Sequence, residues 1–162
     1  MRTTPVHLLQ GVVVAALVAS CRAPVATPSP FGGTWWVSAL NGAAVDRFEA
    51  PEIQFTVGGE VRGSSGCHDF SAPFRVDGAM ITVGDAIPTP SDYACPERDQ
   101  EIEAAFLAAL RQVATFSGGR PSCDLVLDGP GGAIALESTG ISGTASPCPT
   151  WEERHGSQPP TR

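Results

Sequence analysis

Residues 97–114 read ERDQEIEAAFLAALRQVA. Ile102, Phe106, Ala109, Leu110 and Val113 fall on one face at the helical period of 3.6 residues. Pro96 suits the first position of a helix, where its missing N–H has no partner to lose. Glu97, Asp99, Glu101 and Glu103 place negative charge where the helix dipole favours it. The stretch predicts one amphipathic helix over about residues 97–114. On either side the apolar period falls to two. Upstream, residues 34–40 are aromatic and β-branched and run into an Asn41-Gly42 turn. Ile53, Phe55 and Val57 alternate along one face, and Gly58-Gly59 turns the chain into residues 60–63. Residues 70–76 read as a further strand that Pro73 assigns to an edge or a bulge, and Asp77-Gly78 leads into residues 80–83. Downstream, residues 115–116, 124–128 and 133–136 read as strands, the last two joined by a Gly-Pro-Gly-Gly turn at 129–132. Strands, one helix and strands again predict an α+β domain: a curved antiparallel β-sheet or partial barrel with one helix packed against it.

The chain has 162 residues, 42% of them hydrophobic and 17% charged, which suits one domain with its own core. Its ten basic residues are all arginine. Without lysine there is no amine for a Schiff base, a phosphate-binding loop or a Ser-Lys hydrolase. A net charge of −7 argues against nucleic acid as a partner, because binding a polyanion needs a basic face.

Residues 1–20 have the build of a signal peptide. Arg2 precedes an apolar run over residues 8–18, broken only by Gln10 and Gly11 and too short to span a bilayer. The run ends in Val18-Ala19-Ser20-Cys21. Small residues directly before a cysteine resemble the lipobox of bacterial lipoproteins, in which the cysteine sulfur takes a diacylglyceryl group and becomes the new N-terminus. The expected product is held at Cys21 by acyl chains such as palmitate on a bacterial membrane, facing out of the cytoplasm. Residues 21–30 carry Pro24, Pro28 and Pro30 and form a stiff tether. The nine residues after Cys21, at about 3.1 Å each, reach roughly 28 Å. A domain over residues 31–143 follows. Residues 144–162, Pro-rich and without periodicity, are expected as a flexible tail, with Trp151 folding back only if Cys148 is tied to Cys123.

Five cysteines are present, and assigning Cys21 to lipid leaves Cys67, Cys95, Cys123 and Cys148. Four cysteines allow three pairings, and an exported chain favours disulfides over thiols. None forms a C-x-x-C, the spacing that zinc sites and thioredoxin-like centres use. The densest reactive cluster is residues 63–69, GSSGCHD. A hydrolase built on Cys67 or a serine, with His68 and Asp69 as helpers, needs nucleophile and base within hydrogen-bond reach. Neighbours on a strand point to opposite faces, so Cys67 and His68 are expected to diverge and the segment to be a glycine-rich bend carrying a disulfide. A metal site on His68, Asp69 and the cysteines requires reduced thiols outside the cell, so neither metal nor cofactor is expected. The acidic residues between 97 and 103 are expected as a solvated helix start. Trp35 and Trp36 are strand neighbours, so one faces the core and the other is a candidate contact residue.

Several short motifs occur in a recognisable order: Trp36 with Leu40-Asn41-Gly42, Ile53 and Phe55, Val61 through Gly66-Cys67, Phe74, Val76-Asp77-Gly78, and Ile81. Then come Pro88-Thr-Pro-Ser-Asp-Tyr-Ala-Cys-Pro96, an acidic helix with Glu101, Phe106 and Ala109-Leu110, and a hairpin strand with Leu125 and Leu127. Over about residues 34–137 this pattern resembles the META domain, also called HslJ-like. The resemblance implies a small α+β fold in which Cys67 lies near Cys95, hence the pairs Cys67–Cys95 and Cys123–Cys148. It also implies an envelope or secreted protein from a group associated with envelope stress and drug tolerance. It carries over no catalytic residue. The family usually has Gly-Cys-Asn followed by an aromatic residue and glycine, whereas this chain has Gly66-Cys67-His68-Asp69-Phe70-Ser71, which alters the hydrogen bonding at that bend.

The expected function is therefore binding rather than catalysis. The expected protein is a monomeric, lipid-anchored envelope protein that takes an envelope protein or a small apolar ligand. Trp35 or Trp36 with His68, Asp69 and Phe70 is its expected contact surface. The alternative is an inhibitor of secreted hydrolases presenting the loop at residues 88–92; an enzyme using Cys67 is the third reading.

Overall fold

The computed structural model describes residues 31–90, 94–120, 122–138, 148–150, 153–154 and 156. The expected leader, Cys21, the tether, Trp151 and most of the expected tail lie outside the described residues. Among the described residues no helix is long and apolar enough to cross a membrane.

Among the described residues ten strands and one helix follow in order: β1 (Thr34–Leu40), β2 (Ala43–Ala44), β3 (Glu52–Phe55), β4 (Glu60–Ser64), β5 (Asp69–Asp77), β6 (Met80–Val83), β7 (Ile87–Pro88), α1 (Glu97–Leu110), β8 (Thr115–Gly119), β9 (Asp124–Asp128) and β10 (Ile134–Glu137). All pairings are antiparallel. The ring runs β1-β3-β4-β5-β6-β8-β9-β10 and returns to β1, while β2 and β7 extend β1 and β5 at its margin. The sheet is therefore a closed eight-stranded barrel, where the sequence predicts a curved sheet or partial barrel. Closure comes from Val37↔Leu136 and Leu40↔Ile134, with a register shift between Val37 and Ala39. On one edge β1 pairs with β3 over Thr34–Trp36, and with β10 it pairs over Trp36–Leu40 across that irregularity. Closure also removes the exposed sheet edges that invite association.

An eight-stranded barrel is just wide enough for its own side chains to fill. Trp35, Ile53, Val61, Ile81, Leu125, Leu127, Ile134 and Leu136 do so, all essentially without exposure. Phe31 closes one end, its ring centroid 4.7 Å from those of both Phe55 and Phe116, and its carbonyl accepts from the Trp35 indole at 2.8 Å. Helix α1 closes the other end by burying Phe106, Leu107, Ala109 and Leu110, with Phe106 edge-on to Phe70 at 5.5 Å.

Four local readings change. The helix stops at Leu110 instead of 114, because Ala114 joins the sheet: its N–H donates to Asp128 and its carbonyl accepts from Ile81. Val57 is fully exposed rather than on the inner face of β3, since the chain already turns at Thr56, whose N–H donates to the Glu60 carbonyl. Pro73 sits inside the nine-residue β5, where the partner changes from β7 at Ser71 to β6 at Phe74; there its missing N–H breaks neither ladder. Part of the expected flexible tail is tied down. Cys148 is buried in a disulfide to Cys123, and Arg154 pairs with Asp124 at 2.6 Å and Glu137 at 3.8 Å.

Candidate functional site

The bend between β4 and β5 folds back through Ser65, whose N–H donates to the His68 carbonyl at 2.8 Å. Gly66 follows at φ 104°, a left-handed conformation in which a Cβ would crowd the Glu49 carbonyl. The bend is fastened to the helix twice. Cys67 is disulfide-bonded to Cys95, two residues before α1, with Cα atoms 5.9 Å apart. Glu103, from the second turn of α1, sends its carboxylate into the bend. It accepts from the His68 backbone N–H at 3.0 Å, from His68 Nδ1 at 3.0 Å and from the Ser65 hydroxyl.

This arrangement sets the electrostatics. The side chains of Glu103 and His68 are only 15% and 23% exposed, and Ser65 is fully buried. Burial raises the Glu103 carboxyl, but the hydrogen bonds from Ser65 and His68, with the His68 charge, outweigh it and hold the group below its usual range. Glu103 thus leaves the solvated helix face expected for residues 97–103 and turns inward. A carboxylate two positions after Glu101 carries no sequence signal that sets it apart.

Cys67 and His68 do not diverge as strand neighbours would. Residues 65–68 are a bend, and His68 Nε2 lies 3.7 Å from Cys67 Sγ. Sulfur, imidazole and carboxylate therefore stand in the order of a nucleophile, a base and the group that orients the base. The sulfur is held in a disulfide, and a disulfide sulfur is not a nucleophile.

The other expected contact residues separate. Trp35 is fully buried and Phe70 is 3% exposed, so both belong to the core, although Phe70 also backs the recess beside Asp69. Trp36 is half-buried on the outside, with the Arg47 guanidinium 4.9 Å from its ring centroid. Asp69 is exposed and lines a shallow polar recess of about 350 Å³ with Glu52, Gln54, Arg62, Ser71 and Thr89. Gly63 lines it too, at a point where β3 and β4 approach so closely that a Cβ would strike the Glu52 carbonyl. Burial raises the Glu52 carboxyl there, against the lowering effect of Arg47. Of the loop at residues 88–92, Pro88 pairs with Phe70 in the sheet, and residues 91–93 lie outside the described residues.

A second recess escaped the sequence reading. Leu40, Ala43, Ala44, Val45, Ile102 and Ala105 form an apolar groove of about 280 Å³ between β2 and α1, rimmed by Arg98 and Glu101. Arg98 is itself held by Glu49 at 2.6 Å. No pattern in 40–45 and 98–105 announces it, because two distant segments must meet to form it.

The META domain model matches residues 29–139, more than half of the 162 residues. The chain belongs to the META domain family. That membership accounts for the motif order between Trp36 and Leu127. Two solved structures share the fold. One, described as an NMR structure of a protein, is 17% identical with a TM-score of 0.53 and covers 68% of this chain and 95% of its own. Another, the NMR structure of a protein from Burkholderia xenovorans, is 19% identical with a TM-score of 0.51 and covers 85% and 100%. No curated protein matches the sequence. At these identities the likeness is one of META barrel architecture, and the bend chemistry rests on this chain's own residues.

Proposed function

We propose that this META domain protein is lipid-anchored in the cell envelope and works without catalysis, binding a small apolar ligand in the groove between β2 and α1. One observation carries the reading: the barrel is filled from within and closed at both ends by Phe31 and α1, while an apolar recess lies on its outside. At about 280 Å³ the groove lies just below the range of drug-sized sites, which starts at about 300 Å³, and so suits a small ligand. Its apolar floor supplies affinity, and Arg98 and Glu101 at its rim supply orientation. The disulfide at Cys67 supports a binding role over a cysteine enzyme. The leader, the lipobox at Cys21 and the tether support an anchored protein, and membership of the META family is what suggests an envelope-stress or drug-tolerance role.

Two measurements test it. The intact mass of the natively exported chain is expected to begin at Cys21 with acyl groups, and to gain nothing on alkylation after denaturation. Titration with apolar fragments, followed by NMR, is expected to move the Ala43, Val45, Ile102 and Ala105 amides saturably, and Ile102→Glu to abolish the shifts. An unacylated chain overturns the anchor. Shifts that never saturate, or that Ile102→Glu leaves in place, overturn the groove.

A further inference from the structure

We infer that reduction of the Cys67–Cys95 disulfide converts the bend into a zinc site formed by Cys67, Cys95 and His68. In the oxidised protein the ligand atoms of these three residues already lie within 4.8 Å of one another. Tetrahedral zinc, with Zn–S near 2.3 Å and Zn–N near 2.0 Å, separates sulfur from nitrogen by about 3.5 Å and sulfur from sulfur by about 3.8 Å. His68 Nε2 stands 3.7 Å from Cys67 Sγ, close to that spacing before any movement. The two sulfurs need only part, and a Cα separation of 5.9 Å leaves them room.

The imidazole is set for this role by its other nitrogen. Nδ1 faces both oxygens of Glu103 at 3.0 Å, so the ring donates there and presents the Nε2 lone pair toward sulfur. A carboxylate behind a metal-binding histidine fixes its tautomer and strengthens it as a ligand. Glu103 is held in turn by Ser65 and the His68 backbone N–H, so the ring faces a carboxylate that is itself fixed in place. All three ligands are half-buried, which leaves a path for the ion and a fourth position for water. Two thiolates and one imidazole are a soft set suited to zinc over calcium or magnesium.

The chemistry balances with a dithiol as reductant. Its thiolate attacks one sulfur of the disulfide, a mixed disulfide forms, and its second thiol releases it as a cyclic disulfide. Two electrons and two protons end on Cys67 and Cys95. Zinc then displaces both thiol protons to solvent, and its charge is balanced by the two thiolates. The site exists only in the reduced protein, so it goes beyond the apolar groove and does not depend on it.

The test uses the full exported chain, treated with limiting dithiothreitol until peptide mapping shows alkylation at Cys67 and Cys95 but not at the buried Cys123 and Cys148. One Zn²⁺ per chain is expected after reduction and none before. Co²⁺ in its place is expected to give thiolate-to-metal charge-transfer absorption and tetrahedral visible bands. His68→Asn keeps both cysteines and installs the residue common in the family; it is expected to weaken binding by at least about 100-fold and change the cobalt spectrum. Glu103→Gln, which acts through His68, is expected to weaken it by about 10–100-fold. Zinc taken up equally by oxidised protein, binding unmoved by His68→Asn, or a reduced chain that unfolds or takes up no zinc each overturns the inference.

Discussion

Replacing Glu103 by alanine should remove most of what holds the bend at residues 65–68 against α1, apart from the disulfide. The carboxylate accepts from three donors: the Ser65 hydroxyl, the His68 N–H and His68 Nδ1. A hydrogen bond to a charged group contributes about 1.5–3 kcal/mol, and a buried donor left without a partner costs about 1–3 kcal/mol. The three cannot simply be summed, because the His68 ring is 23% exposed and water takes over part of its bonding. The Ser65 hydroxyl keeps the His68 carbonyl as an acceptor at 2.7 Å and the His68 N–H keeps the Ser65 oxygen at 3.3 Å, so the loss is that of the charged bonds rather than of stranded donors, about 2–3 kcal/mol. For a domain of this size that is a fall in Tm of roughly 8–12 °C. The loss also carries a pH signature. Because the folded-state carboxyl lies below its unfolded value, its contribution is fully present above the unfolded pKa and disappears as pH falls through the folded one. Chemical denaturation of wild type and Glu103→Ala should differ by the full amount at pH 7, and the difference should shrink as pH falls below the usual carboxyl range, because the folded-state carboxyl is lowered. A difference under about 1 kcal/mol at neutral pH, or one equally large at pH 3, would falsify the assignment of Glu103 as the anchor of the bend.

Phe31→Ala opens the end of the barrel where Phe31 packs on Phe55, Phe74 and Phe116, and should cost about 3–5 kcal/mol in urea denaturation. A loss under 1 kcal/mol would mean that the barrel ends without it. Cys148→Ser releases a loop of 25 residues and should cost about 3.5 kcal/mol in the chain-entropy model. It should also raise amide exchange at Arg154, whose pairing with Asp124 and Glu137 depends on that tie; unchanged exchange there would show that the ion pairs hold the segment alone.

The hairpins were legible because their signals are local. Alternation of Ile53 with Phe55, of Leu125 with Leu127 and of Ile134 with Leu136 names the inner face within a few residues. The helix was legible from its period, except for its last turn, where the sheet captures Ala114. Barrel closure was not legible, because the pairing of residues 34–40 with 134–137 joins segments about a hundred residues apart and nothing in either names the other. The Pro73 reading failed for a related reason. The rule that sends proline to an edge assumes an open sheet, and a closed barrel offers instead a point where one strand changes partners. The Trp35/Trp36 alternation was right, one in and one out, yet Arg47 lies over the outer ring and reduces what it can offer a partner.

The sequence reading had the glycine-rich bend and its disulfide right and erred only in treating Cys67 and His68 as strand neighbours, and correcting that changes what the bend can do. Strand geometry would separate the side chains of Cys67 and His68; the turn through Ser65 and Gly66 brings them within 3.7 Å. The same two elements, bend and helix start, are then joined by a covalent tie at Cys95 and by hydrogen bonds to Glu103. Two ties between the same bodies are partly redundant, since either one leaves the other to hold the geometry. Loss of the disulfide therefore need not scatter Cys67, Cys95 and His68, because Glu103 still fixes the ring and the backbone beside it. Around them the barrel is pinned strand to strand through its whole circumference, so a change of redox state at the bend has no open sheet edge through which to spread. A rigid closed frame with a doubly fastened bend is the combination in which a reduced pair of cysteines stays beside an oriented imidazole.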